Sequence, residues 1–490
     1  MVRRQILEFG KTTAVYGLGN ILNKITAFLL IPVYVKYLSL AEVGSIALIE
    51  LLESFLILFL LSGLIQSIWK RLKNAQRIEK NKIVFSGWVG LLCLAFFLFL
   101  VLFKYKHYLA LFLGLNTPEF ANLVTWILLG IFCQLGGQFL LFQLQFENRP
   151  VYYITFSISQ LILTLVLTIY LTVFQKMGLH GIIYAKVFVT LSAFIYSSLY
   201  LIKSYFCLPS IKVFRQLIIF GFPLIFLGLA TPILTLSDRF FLNMFVPLSM
   251  IGIYSINYKF GMLINMFLVV PLQRSLLPMI YKQGLQDELQ PIYKDTLFYY
   301  SVIGCFIILG ITFFIRPVIA WISSAEYLEA TYIVPLVAAA YLISGFRPFF
   351  TPLIALKDRT DLLGKVAVAG ITVCLIFNYI LIKNYGIDGA VASTVLSYFI
   401  FTSSVYILTK KIAPMDWGWM RIGKVGALTA AIIAGVKISG NYWNETELVL
   451  RVIGILSFPI LLWVFRIVGE REINGIKSII SFTRNKLSKR

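Results

Sequence analysis

Apolar runs about 20 residues long recur along this chain, and runs of that length settle in hydrocarbon only as spanning helices. A barrel is excluded because the runs are continuous rather than alternating. Only 13% of the 490 residues are charged and 59% are hydrophobic, with a mean hydropathy of +0.88. A soluble domain carries about 25% charged residues. The runs predict an all-α polytopic membrane protein of about 14 transmembrane helices. They lie near 12–36, 44–67, 83–103, 120–143, 152–174, 180–202, 217–242, 248–271, 297–318, 329–350, 362–383, 387–409, 422–440 and 449–468. The first run is too long for a cleaved signal and is expected to remain as a span.

Placing the N-terminus inside puts most of the 43 Lys and Arg residues on the N-terminus, the even-numbered loops and the C-terminal tail. By the positive-inside rule, both termini are expected to be cytoplasmic. The net charge of +22 therefore reads as topogenic charge that meets anionic headgroups. Membrane lipids are the expected partners and nucleic acid is not. The five cysteines are scattered without a CxxC pair, so free thiols are expected and no metal site is. No Walker-type glycine motif is present, which argues against ATP hydrolysis. No cofactor is expected.

The chain also matches itself at an offset of 208 residues. Tyr37-Leu-Ser-Leu-Ala-Glu-Val-Gly44 aligns with Phe245-Val-Pro-Leu-Ser-Met-Ile-Gly252. Met177-Gly-Leu-His-Gly-Ile182 aligns with Tyr385-Gly-Ile-Asp-Gly-Ala390. One offset at two distant places predicts two pseudo-symmetric six-helix lobes, with the site between them. The expected division is a lobe at 1–208, a second at 209–411, and two extra spans with a basic tail at 412–490.

Ionisable residues inside spans each cost about 2.5–3.5 kcal/mol at a helix centre, so each needs a physical reason. Lys24, Lys186, Arg239 and Lys259 are the basic candidates; Glu50, Glu53 and Asp238 are the acidic ones. Lys24, with Asn20 and Asn23 beside it, either faces a polar cavity or pairs with Glu50 or Glu53. Glu50 and Glu53 are three residues apart and share a helix face. They form either a proton or sodium site or ion pairs with lysine. By the repeat, Lys259 lies at a depth similar to Glu50, so a Glu–Lys contact between the lobes would act as a gate. Asp238 and Arg239 are adjacent, which predicts a separate partner for each; a structural and a substrate role stay open. Lys186 is shallow enough to snorkel. Gln134 and Gln138, one turn apart, are either interhelical hydrogen-bonding groups or sugar contacts. Pro32 is expected to bend span 1, and Pro223 and Pro232 to break span 7.

The segments Tyr37–Gly44, Asp238-Arg-Phe-Phe-Leu-Asn243, Ile251-Gly-Ile-Tyr-Ser255 and Tyr385–Ala390 resemble the polysaccharide-unit flippases of the Wzx type. These belong to the multidrug/oligosaccharidyl-lipid/polysaccharide (MOP) exporter superfamily. The resemblance covers most of spans 1–12. It implies a MATE-like V of two lobes around a cavity, and alternating access coupled to H+ or Na+. Read from the residues, Glu50, Glu53 and Asp238 are the candidate ion-coupling or gate groups. It also implies export of undecaprenyl-pyrophosphate-linked oligosaccharide, such as O-antigen or other lipopolysaccharide units, across the bacterial inner membrane. The implied protein is a transporter rather than an enzyme. It is expected to be monomeric and to work beside polysaccharide polymerase and chain-length proteins. The cationic groups Lys24, Lys186, Arg239 and Lys259 suit a pyrophosphate. Two rivals are a cation or drug antiporter and a lipid II flippase. The intramembrane lysines disfavour the first; the lack of arginine in spans 1 and 2 disfavours the second.

Overall fold

The computed structural model describes residues 26, 28–72, 75–115, 122–283, 290–357, 359–442 and 447–468. Among them there is no strand. The helices are α1 (Ile31–Tyr37), α2 (Leu40–Leu72), α3 (Arg77–Lys104), α4 (Lys106–Phe112), α5 (Leu123–Phe146) and α6 (Pro150–Ile169). A π turn (Tyr170–Phe174) ends α6, and α7 (Gly178–Tyr205), α8 (Ile211–Phe245) and α9 (Leu248–Gly261) follow. After a second π turn (Asn265–Val269) come α10 (Val270–Gln283), α11 (Gln290–Ile322), α12 (Ile333–Ser344) and α13 (Arg347–Ala355). The last three are α14 (Thr360–Ile412), α15 (Trp419–Tyr442) and α16 (Glu447–Val464).

Ten helical stretches among the described residues are long and apolar enough to cross a membrane. One of them, Asp361–Ile412, holds the two expected spans 362–383 and 387–409. They meet at Gly386, whose φ of 55° is non-helical. Gly178, 208 residues earlier, has φ 53°. Both glycines occupy the left-handed region that a Cβ disfavours.

The motif around Ser39 has a local cause. Ser39 Oγ accepts from the Glu42 backbone N–H at 3.3 Å, and Glu42 Oε2 accepts from the Ser39 backbone N–H at 2.8 Å. This reciprocal capping box opens α2. Pro32 sits in the first turn of α1, where its missing N–H breaks no helical bond, and the chain turns just before it at Leu30. The expected break in span 7 does not appear, since α8 runs unbroken through Pro223 and Pro232. Its close packing on α2 supports it. A Cβ on Gly63 would lie 2.1 Å from the Gly221 carbonyl oxygen, so the two backbones touch there.

The residues group into two compact units. The first holds residues 1–260, 322–330 and 364–401. It extends past the expected boundary at 208 because α8 and α9 pack on α2. Its buried core includes Leu61, Leu64, Ile68, Val84, Leu91 and Leu217. The second holds residues 261–321, 331–363 and 402–490. There Trp417 packs edge-on against Phe350 at 5.0 Å, and Arg451 Nη1 donates to the Phe313 carbonyl at 3.0 Å. Outside the spans, Lys294 hydrogen-bonds Asp416, and the Gly418 N–H donates to it at 2.9 Å. Both hold the Asp416 carboxyl below its usual range.

Candidate functional site

A cavity of about 270 Å³ opens among α1, α2, α5, α6 and α7 in the first unit. Its polar wall is made by Glu50, Gln134, Gln138, Gln160 and Lys186, with threonines between them. Four of these five are residues the sequence singles out. They converge because each lies on the inward stripe of its own helix. Gln134 and Gln138 are one turn apart on α5, and Lys186 and Thr190 are one turn apart on α7.

Glu50 and Glu53, the two carboxylates in the apolar stretch of α2, are each paired with a lysine. Lys259 Nζ on α9 donates to Glu50 Oε1 at 2.7 Å. Lys186 Nζ on α7 donates to Glu53 Oε2. The Lys259 side chain is 13% exposed and that of Glu50 32%. The Lys259 ammonium also lies 5.8 Å from the centre of the Tyr34 ring, a cation–π contact from α1. Lys186 does not snorkel away from protein; its ammonium is held on Glu53 at the cavity wall.

Asp238 and Arg239 each find a separate partner, and they also touch one another: Arg239 Nη1 contacts Asp238 Oδ1 at 3.1 Å. The long guanidinium side chain folds back along α8, where the same Nη1 donates to the Thr235 carbonyl at 3.2 Å. The second carboxylate oxygen accepts from the Tyr254 hydroxyl. The guanidinium lies 4.7 Å from the Tyr258 ring centre. Both side chains are nearly fully buried, at 3% and 5% exposure, rather than at an interface with solvent. Neither lines the cavity. The same polar seam continues through Ser237 Oγ, which accepts from Asn378 Nδ2 at 2.9 Å, and Asn257, whose Nδ2 donates to the Tyr327 carbonyl at 3.0 Å.

Removing one partner of this pair strands a buried charge, at a cost of about 3–5 kcal/mol. Asp238→Asn is therefore expected to lower the thermal unfolding midpoint in detergent by several degrees. Asp238→Asn with Arg239→Gln should recover most of the loss. An unchanged midpoint in the single variant would show that the pair bears no load.

Lys24, Asn20 and Asn23 lie outside the described residues. Two contributors went unnoticed in the sequence. Gln160 lines the cavity but is a lone amide in its span, without the one-turn partner that marks Gln134 and Gln138. Tyr34 is one of 26 tyrosines, and nothing local separates it from lipid-facing ones. Tyr254 lies in the Ile251–Ser255 segment, but that segment gave it no role.

The chain matches the family model of polysaccharide biosynthesis proteins over residues 9–283. No curated protein sequence matches it. Among solved structures it is similar to the lipid II flippase MurJ in an inward closed conformation. The TM-score is 0.76 at 14% identity, covering 93% of this chain and all of that one. It is also similar to an inward-facing multidrug resistance MATE transporter of the MOP superfamily, with TM-score 0.62, 14% identity, and 82% and 95% of the two chains covered. A mutant of the Vibrio cholerae MATE transporter VcmN gives TM-score 0.55 at 14% identity, covering 82% and 96%. The all-helical fold is thus that of MurJ and the MATE transporters. With more than half its length matched, the chain belongs to the polysaccharide biosynthesis protein family.

Proposed function

We propose that the protein is a flippase for undecaprenyl-pyrophosphate-linked oligosaccharide, carrying repeat units of a surface polysaccharide such as O-antigen from the inner to the outer leaflet of a bacterial cytoplasmic membrane. The observation that carries this reading is a polar cavity with Lys186 at its wall, set among apolar helices of a chain in the polysaccharide biosynthesis family. A pyrophosphate-sugar headgroup cannot cross about 30 Å of hydrocarbon unaided. A walled polar path removes that barrier while the polyprenyl chain stays in lipid.

The ion pairs suggest how such a site cycles. An arriving pyrophosphate competes with Glu53 for the Lys186 ammonium and exchanges one charge-assisted contact for another. The freed carboxylate then takes up a proton or a sodium ion, since an unpaired buried charge is costly. Lys259 and Glu50 join α9 of the second repeat to α2 of the first, and form the contact that opens and closes as access alternates. A polymerase and chain-length proteins would take the exported units, and the flippase itself acts as a monomer with both termini cytoplasmic.

The test is a deletion strain fractionated for lipid-linked oligosaccharide by leaflet. Complete repeat units facing the cytoplasm, with surface polymer lost, are the expected result. Normal surface polymer with new sensitivity to cationic dyes would replace this reading by drug export. Arrest of cell-wall synthesis would replace it by lipid II transport.

A further inference from the structure

The two charges on the cavity wall are already neutralised by the protein, Lys186 by Glu53 and Glu50 by Lys259. What the rest of the wall offers is uncharged: three glutamine amides and several threonine hydroxyls. The amide oxygen of Gln134 is buried and has no hydrogen-bond partner among the described residues. An orphan acceptor of that kind costs about 1–3 kcal/mol, so its retention calls for a donor that arrives from elsewhere.

A second space adjoins this wall. A slot of about 550 Å³ lies between α6 and α7, and Gln160 and Ala193 line both it and the cavity. Its size is within the range of pockets that hold drug-sized ligands, about 300–1,000 Å³. The slot carries no charged side chain; Tyr152, Tyr196, Ser159 and Ser192 supply its aromatic faces and hydroxyls. Tyr196 is about half exposed (48%) and is held in place by stacking on Phe156 at 5.4 Å. The Ser159 and Ser192 hydroxyls donate to helix carbonyls, at 2.9 and 2.8 Å, which leaves their oxygens as acceptors.

We propose that the amide wall and the α6–α7 slot form a saccharide subsite, in which Gln134 and Gln160 hydrogen-bond sugar hydroxyls and Tyr196 receives the face of a sugar ring. A sugar hydroxyl both donates and accepts, as does an amide, so neutral amides match it without a net charge. A hydrocarbon tail would leave those amides unpaired, and a bare anion would find no free cation in the slot. The assignment rests on the lipid-linked oligosaccharide reading above and makes this wall the determinant of which glycan is accepted.

The experiment uses the full-length protein in nanodiscs with two probes: undecaprenyl pyrophosphate without sugar, and the lipid-linked oligosaccharide extracted from producing cells. The variants are Gln134→Leu and Gln160→Leu, which hold side-chain volume. Each should weaken binding of the sugar-bearing probe about tenfold, the loss expected from one or two hydrogen bonds, and leave the sugarless probe unchanged. No effect on either probe, or an equal loss for both, overturns the subsite. Wild-type protein that binds neither probe overturns the flippase reading itself, and the subsite with it.

Discussion

Lys259→Ala is expected to abolish surface polysaccharide while the protein still reaches the membrane. The side chain reaches from α9 to Glu50 on α2, and that pair joins the two helices. Its loss leaves Glu50 with no lysine on it in a largely desolvated setting. Breaking such a pair costs about 3 kcal/mol, at the low end of the range because Glu50 is 32% exposed. If that energy is lost from one conformation of a two-state cycle, the population of that conformation falls roughly 100-fold. Glu50→Gln should act in the same direction, leaving Lys259 without its counter-charge. The charge swap, Glu50→Lys with Lys259→Glu, separates two roles. Transport returns in the swap if the residues act through each other. It stays absent if Lys259 must itself meet the phosphate. Normal polysaccharide in Lys259→Ala would remove the pair from the mechanism.

The sequence carried more of the fold than of the site, and particular residues show why. The span pattern and the repeat are properties of length and spacing, so they survive without coordinates; Gly178 and Gly386 even share a φ near 54°. The depth match between Glu50 and Lys259 followed from the same spacing. Which lysine pairs with which glutamate did not, because that depends on the rotation of each helix about its axis. The weak amphipathicity of spans buried on several sides hides that phase. The contact between Arg239 and Asp238 was hidden for another reason. Neighbours on a helix point apart at their Cβ positions, but an arginine side chain is long enough to reach the Thr235 carbonyl and touch Asp238 as well. Gln160 failed because one amide in a span makes no pattern.

The glycine crossing of α2 and α9 should be a sensitive point in the backbone. A Cβ on Gly44 would sit 2.1 Å from the Leu248 carbonyl oxygen, and one on Gly252 would sit 2.2 Å from the Leu40 carbonyl oxygen. Leu40 and Leu248 are themselves 208 residues apart, so the contact is reciprocal: each helix presses its glycine on the other's backbone at the equivalent place. Backbone atoms cannot rotate away as a side chain can, so any substituent must push α2 and α9 apart. Close approach of this kind is how membrane helices gain packing energy when no hydrophobic effect draws them together. Glu50 and Lys259 lie further along the same two helices, and separating the crossing draws that pair apart as well. Gly252→Val and Gly44→Val are therefore each expected to abolish transport with the protein still inserted. They should also abolish crosslinking by a short bifunctional maleimide between Glu50→Cys and Lys259→Cys, introduced on a background lacking the five native cysteines. Gly364→Ala is the control. Nothing lies within 4 Å of its added Cβ, so it should transport normally and gain up to about 1 kcal/mol from helix propensity. Transport and crosslinking both preserved in Gly252→Val would mean that α2 and α9 need not touch, and that the reciprocal contact is a by-product of the repeat rather than a working part of it.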